Sequence, residues 1–195
     1  MTDPDMIPLF PLNTVLFPGG RLALRIFEAR YLDMVSECLR SDHGFGVCLI
    51  REGSEVGQAR IHEIGTMAHI TNWDRLEDGL LGLTVFGERR FEVLETETRP
   101  DGLLVGKLRY TADQAPVQVP TELTPVASLL EEVLEQFGET PGSVPRHLDE
   151  AGWVADRMAE LLPLELAAKQ RLLETGDAVE RLVAVGTLLV RLGGG

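Results

Sequence analysis

A chain of 195 residues, 44% hydrophobic and 25% charged, can bury a core without metal or disulfide help and is too apolar to be disordered. Its 18 basic and 31 acidic residues leave a net charge of −13, which sets phosphate backbones and anionic membranes aside as partners. No apolar run reaches the roughly 20 residues of a membrane span. The acidic start MTDPDMIP has no secretory signal pattern, so a cytoplasmic location is expected.

Residues 9–32, LFPLNTVLFPGGRLALRIFEARYL, organise the first part of the chain. Pro11 and Pro18 cannot donate to a central ladder and Gly19-Gly20 marks a tight turn, so the stretch reads as short edge strand, bend and re-entry. Residues 28–40 place Tyr31, Met34 or Val35, and Cys38 at helical spacing, with Arg30, Asp33, Glu37 and Arg40 on the other side: one amphipathic helix. His43-Gly44 ends it, residues 45–50 read as a buried strand, and the polar REGSEVGQAR, 51–60, reads as a loop.

Period-two alternation returns over residues 61–73, and DRLEDG turns the chain. Leu81, Leu83 and Val85 alternate, Gly87 interrupts as at a bulge or corner, and Phe91 and Val93 resume before the turn signal Arg99-Pro100-Asp101-Gly102. Leu104, Leu108 and Tyr110 mark the last strand. About six short strands with one helix inserted early predict a small closed or nearly closed β-barrel.

Composition changes at TADQAPVQVPT, 111–121, an extended connector beyond which the period is helical. Thr124-Pro125 reads as an N-cap with proline at the first helical position, opening a helix with the stripe Leu130, Val133, Leu134 and Phe137. GETPGSVPRH reads as a loop, a second helix spans about 148–162, and a short third carries ELAAKQRLLE. The last starts at Asp177, with Glu180 at capping-box spacing and Val179, Leu182, Val183, Leu189 and Val190 inward. The expected organisation is a β-barrel subdomain over 1–117 and a helical subdomain over 118–195.

Catalytic patterns are poorly represented. Neither Lys107 nor Lys169 completes a phosphate-binding P-loop, and GSEVG fails the serine-elbow pattern. Lys169 on a polar helix face reads as solvated rather than as half of a Ser/Lys dyad. Cys38, His43 and Cys48 lack the fourth ligand of a structural zinc site, and both cysteines read as reduced core thiols. No metal and no cofactor are expected.

The aromatic residues carry more information. Phe10, Phe17, Phe27, Tyr31, Trp73 and Phe86 lie in or beside turns. They fill a barrel interior, or one or two remain exposed beside Arg25 and Arg30 as anchors of a groove for an extended or unfolded peptide. These eight side chains are the candidate peptide-binding residues.

The segments IPLFPLNTVLFPGG, IFEARYLDMV, FGVCLIREGSEVG, IGTMAHI and GERRFEV, followed by LPLELAAKQRLLE and ERL, resemble in order and spacing the N-terminal substrate-binding domain of the Lon ATP-dependent proteases. The match covers about residues 6–192 and is nearest to free-standing bacterial versions of that domain. The resemblance implies an α+β fold, a PUA-like small β-barrel with an inserted helix followed by a C-terminal α-helical bundle. It also implies recognition of unfolded or damaged polypeptide without ATPase or peptidase activity, with a protease or chaperone as a further partner. A PUA-type RNA binder, which the charge opposes, and a small enzyme with a barrel pocket are the alternatives.

Overall fold

The computed structural model describes residues 6–55, 57, 59–112, 115–137 and 145–193, with only the backbone of Phe137. The chain divides into two compact units, Met1–Ala112 and Asp113–Gly195.

The first unit holds β1 (Met6–Leu12), β2 (Arg21–Ile26), α1 (Ala29–Ser41), β3 (Phe45–Gly53), β4 (Ala59–Ile61), β5 (Ile64–Arg75), β6 (Leu81–Thr98) and β7 (Leu104–Tyr110). These strands form one seven-stranded mixed sheet in the order β1-β7-β6-β5-β3-β4, with β2 on β6 and β1 also parallel to β3. The expected small, closed or nearly closed, PUA-like barrel is therefore corrected to a mixed sheet with free edges. Among the described residues β2 has β6 as its only strand partner and β4 has only β3, whereas closure would give every strand two neighbours. The cause lies in β6, whose 18 residues extend about 60 Å at an ordinary strand rise, long enough to serve two partners in succession. It pairs β2 from Leu81 to Phe86 and β7 from Phe91 to Thr98.

Gly87 marks the change of partner. It exchanges backbone hydrogen bonds with the Gly19-Gly20 turn, donating to the Gly20 carbonyl at 2.8 Å and accepting from the Gly19 amide at 2.7 Å. A Cβ on Gly87 would meet the carbonyl of Phe17. Gly19 itself has a φ of 75°, a conformation that L side chains rarely adopt.

The reading of Pro11 as a mark of an edge strand is also corrected. β1 pairs on both sides, but over successive stretches: Met6 to Pro8 with β7, then Leu9 to Leu12 with β3. The polar segment 51–60 contains more strand than its composition predicts, since β3 runs to Gly53 and β4 begins at Ala59; Val56 and Gln58 lie outside the described residues.

Helix α1 buries Tyr31, Met34, Val35 and Cys38, the face its spacing predicts. It ends at Asp42, in the left-handed region with φ 50°, where the His43 amide donates to the Cys38 carbonyl at 3.2 Å. Its buried face joins a core that includes Phe10, Leu12, Leu24, Ile26, Phe45 and Val85. Leu9, Cys48, Met67, Phe91 and Val93 form a second cluster. Glycines give that cluster room: a Cβ at Gly46 would stand 2.6 Å from both Leu9 and Phe91, and one at Gly65 would stand 2.7 Å from Phe91.

The second unit is a helical bundle of α2 (Thr124–Phe137), α3 (Ala151–Leu161), α4 (Leu166–Glu174) and α5 (Ala178–Gly193). A 3-10 turn, Thr121–Leu123, precedes α2, and Thr124 already has helical angles of −51° and −39° rather than those of a cap. The side chain of Phe137 and residues 138–144 of the expected loop lie outside the described residues. Asp177 does cap α5, its Oδ1 accepting from the amides of Val179 and Glu180, each at 2.9 Å. The inward face of α5 is built from Ala178, Arg181, Leu182 and Val185, whereas Val183 and Val190, expected inward, are 49% and 77% exposed. Arg181 is buried because its Nε meets Asp156 Oδ1 of α3 at 2.8 Å and its Nη1 donates to the Thr175 carbonyl at 2.6 Å. No described helix is long and apolar enough to cross a membrane.

Candidate functional site

The candidate side chains separate by environment. Phe10 and Tyr31 are buried and pack ring on ring at 4.1 Å between centroids, with Phe45 at 5.8 Å from Phe10, and Phe17 is fully buried. These three are core. Phe27 is 60% and Trp73 59% exposed. Phe86 is half-buried, in register between Arg21 of β2 and His69 of β5, on the sheet face opposite Leu83 and Val85. Trp73 lies across β6 from β2, in register with Leu83.

Arg30 is consumed internally. Its Nε donates to Glu28 Oε2 at 2.9 Å, its Nη1 to the carbonyls of Gly102 at 2.8 Å and Gly57 at 3.2 Å, and its Nη2 to the Glu55 carbonyl at 3.2 Å. Nη2 also pairs with Glu28 Oε2 at 2.9 Å, so all five N–H donors of the guanidinium have partners. It lies 4.6 Å from the Tyr31 ring centroid as well. Arg30 is thus a latch fastening the start of α1 to Glu55, Gly57 and the turn at Gly102. Arg25 is exposed and pairs with Asp78 of the β5–β6 turn.

Four of the candidates do come together. Phe10, Arg25, Phe27 and Tyr31 line a groove of about 390 Å³ beside β2, within the range of ordinary ligand sites. Leu12, Leu22, Leu24 and Ile26 complete its apolar floor, while Asn13, Glu28 and Glu55 supply polar rim. Glu55 is held there because its Oε1 accepts from the Asn13 amide at 2.7 Å. Burial pushes the Tyr31 phenol up to about 12, against the lowering pull of Arg30, so the ring stays neutral in the groove wall. A second hollow of about 770 Å³ shares Tyr31 and is lined by Arg30, Glu52, Arg60, Thr96 and Thr98.

Leu12, Asn13, Thr14, Leu22, Ala23, Leu24, Ile26, Glu28 and Glu55 line the groove without being among the residues that the sequence singles out. The alternation Leu22, Leu24, Ile26 was a visible signal for one face of a strand, but nothing local marks Glu55 as its neighbour.

Burial pushes the Cys38 and Cys48 thiols up to about 12, so both are protonated at neutral pH. Among the described residues no group of His, Cys, Asp and Glu could hold a metal ion. What the groove offers is an apolar floor, an exposed ring and a free strand edge: the surface of a binding module.

Comparisons with known proteins agree with that class. The family model for the ATP-dependent protease La (LON) substrate-binding domain matches residues 6–191. The crystal structure of a Lon N-terminal domain protein from Xanthomonas campestris superposes with a TM-score of 0.79 at 37% identity, covering 95% of this chain and 97% of that one. The N-terminal domain of a Mycobacterium avium complex Lon protease shares the fold, with a TM-score of 0.65 at 19% identity, covering 92% and 95%. Lon protease 2 of Myxococcus xanthus is 29% identical over 96% of this chain, and the Lon protease of Anaeromyxobacter dehalogenans is 27% identical over 96%. The chain spans 24% and 23% of those two proteases, respectively. The chain belongs to the Lon substrate-binding domain family, and it corresponds to the non-catalytic N-terminal region of its relatives.

Proposed function

We propose that this protein binds unfolded or damaged polypeptide segments in the groove beside β2, either holding them or presenting them as an adaptor to a cytoplasmic protease or chaperone. The observation that carries the reading is Phe27, a large ring 60% exposed at a groove whose floor is apolar. Aromatic side chains in such settings supply much of the binding energy of protein interfaces. Family membership supports the same reading, since the matched domain is described as substrate-binding.

The test compares one reporter protein in its folded form and in a permanently unfolded, reduced and carboxymethylated form. Fluorescence anisotropy should show binding of the unfolded form only, weakened about tenfold or more by Phe27→Ala. The circular dichroism spectrum of the variant should be unchanged, because the ring makes little of the core. Equal binding of folded and unfolded reporter, or of wild type and variant, would overturn the proposal.

A further inference from the structure

Resting on that reading, we infer that the bound segment joins the sheet as an additional strand along the free edge of β2. It is recognised as an extended stretch with apolar side chains at alternate positions and no acidic residues.

The edge is the first support. Over its six residues β2 pairs with β6 alone among the described residues, and an uncovered strand edge is a template for another strand. The groove follows that edge, since every residue from Leu22 to Ile26 lines it. The alternation of β2 supplies the second support. Leu24 and Ile26 are buried toward the core, with Leu22 partly so, while Arg21, Ala23 and Arg25 are exposed. A strand laid beside β2 continues the same pleat, so every second side chain of the guest lies over the floor of Leu12, Leu24 and Phe10 and must be apolar.

The other edges fit less well. β4 has three residues and a register irregularity against β3. The far part of β5 also has only β6 beside it, but its residues 71–75 are all exposed and include Asn72, Asp74 and Arg75.

Charge selects the guest. In the groove Glu28 is paired with Arg30 as Arg25 is with Asp78, which leaves the Glu55 carboxylate and the −13 of the protein as a whole to disfavour an acidic segment.

The experiment uses a short fluorescent peptide alternating leucine and threonine, with lysine at each end, titrated into the full chain. Successive amide N–H groups of a strand point to opposite sides, so N-methylating one alternate set removes the donors facing β2 and N-methylating the other touches only the outer side. One set should weaken binding about tenfold or more and the other by less than about twofold. Replacing the lysines and one threonine by glutamate should also cost about tenfold at low salt, with the loss shrinking as salt is added. A photo-crosslinker on the peptide should label residues 22–27. Equal effects of the two methylated sets, labelling on β4 or β5, or a preference for the acidic peptide would overturn the inference. If unfolded reporter is still bound in a Phe27-dependent way, the broader polypeptide-binding reading survives that result; if unfolded reporter is not bound at all, both fall.

Discussion

Replacing Arg30 by methionine keeps a long apolar stem over Tyr31 and removes every donor of the latch. The arginine side chain is 13% exposed, so its interactions are only partly screened by solvent. The two part-buried bonds, to the carbonyls of Gly102 and Glu55, contribute about 1 kcal/mol each. The two-donor contact with Glu28 adds about 1 kcal/mol, and the stacking on Tyr31 about 0.5 kcal/mol. The bond to Gly57 is exposed and contributes little. The expected loss is about 3.5 kcal/mol, which urea denaturation monitored by far-ultraviolet circular dichroism measures. Hydrogen exchange should accelerate at Glu55, Gly57 and the 99–102 turn, where the latch is anchored. A loss below about 1 kcal/mol with unchanged exchange would refute the assignment of Arg30 as a latch and return it to the pool of residues available to a ligand.

In the helical unit, Asp156→Ala leaves the Arg181 guanidinium, whose side chain is 3% exposed, without its 2.8 Å carboxylate partner, and thermal unfolding should show a loss of about 3–5 kcal/mol. Gly65→Ala sets a methyl 2.5 Å from the Val47 carbonyl and 2.8 Å from Cys48 Sγ, and overpacking of this kind should cost about 1–3 kcal/mol by urea denaturation. Stability should also fall in alkali. Burial raises Cys38 and Cys48 from 9.0, and Tyr31 from 10.0, to about 12 in the folded state. The folded chain therefore holds protons that the unfolded chain releases. This contribution is complete below pH 9 and is lost as pH rises toward 12, and a Cys38→Ala, Cys48→Ala double variant should show a flatter urea midpoint between pH 8 and 11.

Local pattern revealed most elements of this protein because most elements bury one face. The stripe Tyr31, Met34, Val35 and Cys38 identifies α1, and Asp177 three residues before Glu180 identifies the start of α5, since both signals are complete within about two turns of helix. Errors arose where a non-local partner decides the outcome. A strand of 18 residues shared lengthwise between β2 and β7 has the same alternation as two short strands of a barrel, so closure was predicted where free edges occur. Val183 and Val190 have the composition of a core stripe, but α5 turns Arg181 inward to meet Asp156, and that rotation carries the two valines outward.

The same argument explains why the aromatic list resolved only in part. A ring beside a turn is core if another element covers it and surface if none does, and which of these holds for Phe10 and Phe27 depends on pairings far away in the chain. Phe10 is covered because α1 returns Tyr31 onto it at 4.1 Å, while Phe27 follows the last paired residue of a strand with one neighbour. Proline was a misleading guide to the free edge for a related reason. Pro8 and Pro11 sit in β1, which shares its two sides between successive partners, whereas the uncovered edge belongs to β2, a strand without proline. Arg30 ties these observations together: by holding Glu28 and the Glu55 carbonyl it fixes two of the rim residues of the groove. Its loss should therefore weaken peptide binding even though it has no donor left for a peptide. Binding by the Arg30→Met variant should recover in a stabilising osmolyte, whereas binding by Phe27→Ala should not, because one substitution loosens the wall and the other removes a contact.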